Sequence, residues 1–217
     1  VLTNRVEEDL IGPLWDMYAA SFLPLRSLTA VKQELSEAEF RACLVNPEVM
    51  SVVATEEGEP VGLLSSTPNF DLVPWANAEF YEREFGEAYA DGRVWCSLTV
   101  CVSLGRHGAG AATALGHRVA EFYKERNIVS LVDCCLFNDE VVGLPTTIER
   151  IFQEVYGGVD MRRVDSQHFY AYVPQTIDLT EPVITSKADL VSSIIAIGYY
   201  VFFPSFDFIQ FGKVFFF

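Results

Sequence analysis

The chain has 217 residues, half of them hydrophobic, which is enough to bury one sizeable core. It carries 15 basic and 30 acidic residues, and the formal charge of −15 argues against nucleic acid as a partner, because phosphates need a basic face. Five cysteines without a C-x-x-C pair form no disulfide framework, and three scattered histidines form no metal site. We therefore expect a cytoplasmic protein without a metal.

The first third of the chain predicts two helical regions and a hairpin. Glu7, Glu8 and Asp9 interrupt the N-terminus before an apolar run develops, so no signal peptide is expected. Helical spacing marks the first region, and Ser36 followed by Glu39 is a capping box in the second. Two strands flank a hairpin turn at residues 57–58. These elements span residues 6–22, 29–44, 49–55 and 61–66.

A long segment, residues 67–92, follows the hairpin and is called the insertion below. Tyr81 and Phe85 pair at a spacing of four, which predicts a short amphipathic helix. Loops longer than a dozen residues are uncommon unless they have a function. The insertion is either a lid or substrate wall or a surface helix that covers one face of a sheet. In the first case it would bind an acyl chain or an amine through Trp75, Glu79, Phe80, Tyr81, Glu82 and Glu84.

The stretch from Leu98 to Leu115 runs from a β-branched strand through a glycine-rich turn into a helix. Gly105, Gly108 and Gly110 carry no Cβ that would obstruct a ligand, and the first N–H groups of the helix lack partners, so the turn is typical of a phosphate site. No Gly-Lys-[Ser/Thr] occurs, which excludes a P-loop, and Thr113 breaks the dinucleotide fingerprint.

The spacing Gly105-x-x-Gly108-x-Gly110 resembles the acyl-CoA loop of the GNAT N-acyltransferase superfamily, [Gln/Arg]-x-x-Gly-x-[Gly/Ala]. Gly105 takes the Gln/Arg position, and Arg106 comes one place late. The strand before the turn and four features after it occur in the family's order. These five are Leu98-Thr99-Val100 in the fourth strand, a buried fifth strand from Ile128 to Cys135, Asn138, a helix from Thr146 to Val155, and Tyr156-Gly157-Gly158.

The resemblance implies an α+β, three-layer fold in which helices flank a mixed, mostly antiparallel, twisted sheet. It covers residues 1–173, including the insertion, and His168 to Val173 is expected to be a strand. A C-terminal extension, residues 174–217, holds a run of phenylalanines. The extension would complete the sheet, form a homodimer interface or line a pocket for a long acyl chain.

The resemblance also implies acetyl-CoA or another acyl-CoA as cosubstrate, attacked directly by a primary amine. A splayed N–H at the centre of the fourth strand would polarise the thioester carbonyl. Tyr156 is the candidate acid for the departing thiolate, because Phe152 stands near the usual tyrosine position. The fourth strand has no carboxylate, so Glu82 and Glu84, or Asp133, are the candidate bases. The cofactor-binding residues would be Leu98, Thr99, Val100, Gly105, Arg106, His107, Gly108, Ala109, Gly110, Ala111 and Asn138.

Two classes of function are predicted. The first is an N-acyltransferase that acts on a small molecule or a peptide, with a cationic amine favoured by the acidic charge. A variant of it uses a long-chain acyl-CoA or acyl carrier protein, as the phenylalanine-rich extension suggests. The second is a non-catalytic binding or interaction module of the same fold, which the missing carboxylate on the fourth strand favours.

Overall fold

The computed structural model describes residues 2–3, 6–32, 34–103, 106–172 and 174, without the side chains of residues 2, 3 and 106–109. Five strands form one sheet in chain order; the first three pairings are antiparallel and the last is parallel. The predicted mixed, mostly antiparallel sheet is therefore confirmed. The strands are β1 (Leu2–Thr3), β2 (Met50–Glu56), β3 (Glu59–Thr67), β4 (Val94–Val102) and β5 (Val129–Leu131).

Helices cover both faces of this sheet, which confirms the α+β class. The helices are α1 (Glu8–Phe22), α2 (Glu37–Val45), α3 (Ala78–Phe85), α4 (Glu87–Ala90), α5 (Arg106–Arg126) and α6 (Leu144–Tyr156). α5 and α6 pack on one face of the sheet. α1 and α2 pack on the opposite face, together with the insertion, which contains α3 and α4. Short 3₁₀ turns follow α1 and precede α3, and a π-helical turn, Phe137–Val141, precedes α6.

The core divides between the two faces according to the alternation of the strands. Val52 and Leu64 pack under α5 and α6, whereas their neighbours Val53 and Leu63 pack under α1 and α2. The insertion has its own cluster, in which Phe70 and other aromatic residues cover the N-terminal half of β4. One face therefore carries a single cluster, and the other carries two.

Local sequence signals decide the first half of the fold. Glu57 and Gly58 have φ values of 53° and 92°, as a tight hairpin turn between β2 and β3 requires, which confirms the predicted turn. The Ser36 and Glu39 capping box is also present. It limits the second helical region, because α2 begins at Glu37. The helix predicted from Thr29 is therefore wrong for the described residues 29–32 and 34–35. A capping residue has extended backbone and cannot lie inside a helix.

Two strand predictions near the end of the sheet are wrong. The fifth strand ends at Leu131, and Cys134 and Cys135 are half-buried in a loop instead of lying on a buried strand. The described part of His168–Val173, residues 168–172, is exposed and contains no strand. Both segments lack a ladder partner among the described residues, and an extended segment is stable only when its backbone groups are paired. The extension from residue 175 onwards lies outside the described residues.

Candidate active site

A gap between β4 and β5 is the centre of the candidate site. The two strands pair only from Val94 with Val129 to Cys96 with Leu131. β4 continues to Val102, while β5 ends, so within the described chain no strand flanks residues 97–102 on that side. The centre of the sheet is thereby opened along one edge of β4.

A β-bulge lies at the point where the gap begins. Ser65 pairs with Thr99 and Ser66 pairs with Ser97, so Leu98 is an extra residue without a partner on β3. The packing confirms that the bulge reverses the alternation of side chains along β4. Cys96 and Cys101 face the α1 side, although five positions separate them and alternation would place them on opposite faces.

The ladder also shows which backbone groups face the gap. The N–H of Ser103 donates to the carbonyl of Val61 at 2.9 Å. In an antiparallel pair every second residue bonds to the same neighbouring strand, so Cys101 and Thr99 also bond to β3. The N–H and C=O of Val100, which alternate with these, point away from β3 and toward the gap. The Val100 side chain is 38% exposed, although β4 lies between two other strands. Thr99 is buried and Leu98 is half-buried.

The glycine-rich segment lies at the C-terminal end of β4. α5 begins at Arg106, so Arg106, His107 and Gly108 form its first turn instead of a separate loop, and Gly105 lies outside the described residues. The N–H groups of these three residues have no partner within the helix, because intrahelical bonding begins with Ala109. Unpaired donors at the positive end of a long helix favour an anion.

Gly110 and Ala111 lie in the second turn of α5, where their N–H groups are bonded within the helix. A Cβ built on Gly110 meets no atom within 4 Å, so packing does not require a glycine at that position. The Ala111 side chain is buried against Gly62 of β3. Of the two, Gly110 faces open space and Ala111 faces the sheet.

Tyr156, the candidate acid, lies at the end of α6 on the face that α5 covers. It is half-buried and stacks on Phe152, with the ring centroids 5.5 Å apart. Burial raises the pKa of its hydroxyl, so this group is protonated at neutral pH and can donate. Tyr123, on α5, is almost completely buried and belongs to the core.

The other predicted side chains lie in the turn after β5 and on the insertion. Asn138 is half-buried in the π-helical turn after β5. Glu82 and Glu84 are on α3, and both residues are exposed. The Glu84 carboxylate lies 3.4 Å from the guanidinium of Arg162. The structure therefore places neither glutamate in an enclosed site, and their role as bases stays a prediction.

Asp133, the third candidate base, lies two residues after β5 in a loop, where the residue is exposed. The protein around its carboxyl group partly desolvates it, which raises its pKa, while the nearby Trp75 indole acts in the opposite direction. Tyr81 of α3 and Cys96 of β4 lie close enough to be affected by its charge. Sequence analysis named Trp75 and Asp133 separately, and no spacing along the chain indicates that they lie near each other.

Two further findings concern the described part of the chain. No group of three or more histidine, cysteine, aspartate or glutamate side chains is arranged to hold a metal ion there. In the same residues, no helix combines the length and apolar character needed to cross a membrane.

Some of the solved structures similar to this chain are acetyltransferases. No protein-family model matches the chain, and no curated protein matches it. An aminoglycoside acetyltransferase from an uncultured soil metagenomic sample, solved with sisomicin, is 15% identical, with a TM-score of 0.45 over 80% of this chain and 96% of its own. An acetyltransferase of Trypanosoma brucei is 16% identical, with a TM-score of 0.40 over 77% of this chain and 99% of its own. At these TM-scores neither likeness assigns an activity.

Proposed function

We propose that the protein is an N-acyltransferase that moves an acetyl or other acyl group from acyl-CoA to a primary amine. The observation that carries this proposal is the bulge at Leu98 beside the gap between β4 and β5. It leaves the N–H of Val100 facing open space in the middle of the sheet, where a carbonyl oxygen can accept a hydrogen bond. A fixed N–H of this kind stabilises the negative charge that develops on that oxygen during attack.

The start of α5 supports the same cosubstrate. The free N–H groups of Arg106, His107 and Gly108 suit a pyrophosphate, and β4 leads from them toward the bulge. An extended pantetheine arm along the free edge of β4 would join the two places. Tyr156 is our candidate for donating a proton to the departing thiolate.

A non-catalytic module of the same fold is the second candidate. β4 carries no carboxylate from Val94 to Val102, and Phe152 has no hydroxyl to offer as an acid. Such a module would still bind CoA through the start of α5. The two candidates therefore differ in turnover and not in binding.

A thermal-shift titration with acetyl-CoA, a long-chain acyl-CoA and free CoA tests the cosubstrate. A ligand at 100 times its dissociation constant stabilises the folded state by about 2.7 kcal/mol. We expect the wild type to show a shift of this size with at least one of the three. We also expect Gly108→Val to abolish it, because the new side chain would crowd the free N–H groups.

Gly12→Val is the matched control for the helical glycine. Gly12 is exposed near the start of α1, and a Cβ built there meets no atom within 4 Å, so the variant also adds a side chain to a helical glycine without touching the site. It should bind acyl-CoA as the wild type does. Normal binding by Gly108→Val would show that the site is misplaced, and no shift with any of the three ligands would refute the proposal.

A further inference from the structure

Two adjacent cysteines, Cys134 and Cys135, lie in the loop that follows β5. Successive side chains of a strand point to opposite faces, so two neighbouring thiols within a ladder are kept apart. β5 ends at Leu131, and no strand of the described chain pairs with these two residues. The constraint that would separate the two sulfur atoms is therefore absent, and rotation about the loop backbone can bring them together.

Accessibility separates this pair from the cysteines of β4. Cys134 and Cys135 are both half-buried, whereas Cys96 and Cys101 are buried in the sheet. Cys43 of α2 is half-buried like the pair, but it has no second cysteine beside it in the sequence. The pair is thus the one place in the sequence where two thiols are consecutive, and a small solute can reach both.

The surroundings of Cys134 fix the order in which the two thiols react. Burial raises the pKa of the Cys134 thiol to about 11, the charge of Asp139 adds to this, and Arg163 acts in the opposite direction. Cys134 therefore keeps its proton at neutral pH. Because the thiolate and not the thiol is the nucleophile, reaction with an oxidant begins at Cys135.

We propose that Cys134 and Cys135 are a reversible oxidation site, at which a hydroperoxide converts the two thiols into a disulfide between neighbouring residues. The inference does not rest on the proposed function, because it depends only on the loop after β5.

The atoms and electrons of this step balance. With hydrogen peroxide, the Cys135 thiolate attacks one oxygen, the O–O bond breaks, and the leaving hydroxide takes up a proton and becomes water. The sulfur of Cys134 then attacks the sulfenic sulfur of Cys135, the S–O bond breaks, and the hydroxyl leaves as water with the proton of the Cys134 thiol. Two thiols thereby lose two electrons and form one disulfide, while one peroxide is reduced to two waters.

The spacing of the two residues makes this disulfide easy to reduce. Consecutive Cα atoms are about 3.8 Å apart across a trans peptide bond. Most disulfides join Cα atoms that are about 4.4–6.8 Å apart, and a shorter separation strains the bond and favours its reduction. A dithiol reductant should therefore restore both thiols, which is typical of a regulatory disulfide and not of a structural one.

The backbone of the pair is connected to the π-helical turn Phe137–Val141. The carbonyl of Cys135 accepts a hydrogen bond from the N–H of Asp139 at 3.0 Å, and the Asp139 carboxylate accepts one from Arg163 at 2.5 Å. Closing the ring between the two sulfur atoms rotates the peptide that joins the cysteines, and this displaces the Cys135 carbonyl from the Asp139 N–H. We therefore expect oxidation to loosen the turn.

The test treats the folded wild type with hydrogen peroxide, alkylates the remaining thiols with iodoacetamide and measures the masses of the tryptic peptides. The peptide from Asn127 to Arg150 holds Cys134 and Cys135 and no other cysteine. We expect this peptide to lose two hydrogen atoms and to take up no alkyl group, and we expect dithiothreitol to reverse both changes. Hydrogen exchange of Phe137–Val141 should be faster in the oxidised protein than in the reduced one.

Cys43→Ser is the matched control, since Cys43 is also half-buried, and this variant should be oxidised at the pair as the wild type is. In Cys134→Ser, the sulfenic acid of Cys135 should accumulate and be trapped by dimedone, because the second thiol is missing. If both cysteines of the wild type remain open to alkylation, or if peroxide links two copies of the chain instead, the proposed site is wrong. Equal exchange of Phe137–Val141 in the two forms would refute its connection to the turn.

Discussion

The two faces of the sheet are built differently. Under α5 and α6 one continuous cluster contains buried residues from Met50 to Ile128 and has Phe152 and Tyr156 packed at its margin. On the other face, β4 contributes Cys101 to the cluster under α1 and residues up to Leu98 to the cluster under the insertion. The border between these two clusters falls at the bulge. The α5 face thus has one packed core and the N-terminus of α5. On the insertion face, two separate clusters meet at the bulge of β4.

Substitution of two glycines of α5 should give the largest difference in stability, because one packs against α6 and the other lies at the open start of the helix. A Cβ on Gly116 would lie 2.8 Å from Cδ1 and 3.2 Å from Cγ2 of Ile151 on α6, whereas a Cβ on Gly110 meets nothing. We expect Gly116→Val to destabilise the protein by about 1–3 kcal/mol through overpacking, and Gly110→Val to leave the free energy of unfolding nearly unchanged. Chemical denaturation measures both.

Acyl-CoA affinity should show the reverse order. Gly110→Val should weaken binding, because its new side chain occupies the space at the start of α5, and Gly116→Val should bind normally once folded. Equal destabilisation by the two variants would contradict the division of α5 into a packed middle and an open start.

The sequence predicted the strand and the helix of the α5 half because their signals are local. The strand, the glycine spacing and the following helix are consecutive, so Leu98 to Gly110 could be assigned from order alone. The hairpin at Glu57-Gly58 and the cap at Ser36 were predicted for the same reason. Helix ends were less accurate: the start of α5 at Arg106 converts part of the predicted turn into helix.

The insertion half of the site could not be predicted in this way. Trp75 and Asp133 are 58 positions apart, and their proximity depends on where β5 ends and how the insertion covers β4. The early end of β5 is itself a tertiary effect, since residues 132–135 are apolar enough for a strand and lack only a neighbour. The bulge at Leu98 left no signal in a run of β-branched residues.

Two buried tyrosines, one on each face of the sheet, differ in the hydrogen bonding of their hydroxyls, and this difference should have a smaller effect on stability. The Tyr18 hydroxyl of α1 accepts a hydrogen bond from the Leu35 N–H at 2.6 Å. The Tyr123 hydroxyl of α5 is equally buried and has no hydrogen-bond partner among the described residues; Ser66 and Ser130 lie near enough to affect its pKa without the geometry of a bond. We expect Tyr18→Phe to cost about 1 kcal/mol, because it leaves a half-buried N–H unpaired.

Tyr123→Phe should leave the stability unchanged or raise it, because it removes a hydroxyl that was desolvated without compensation. Thermal unfolding of the two variants against the wild type measures the difference. A loss of about 1 kcal/mol in Tyr123→Phe would mean that its hydroxyl makes a bond in solution, and that the α5 face contains a polar network in place of a purely apolar cluster.

The smallest effect should come from the outer side of the α5 face, where His117 and Glu154 join the two helices. Nε2 of His117 lies 3.0 Å from Oε2 of Glu154, but the two side chains are 40% and 56% exposed. Solvent and salt screen such a pair, so His117→Gln should cost less than about 1 kcal/mol, and added salt should reduce the cost further. Denaturation at low and high ionic strength measures it. Because α5 and α6 are already joined through Gly116 and Ile151, a cost that is larger and insensitive to salt would show that the seam between these helices depends on this pair and not on their apolar packing.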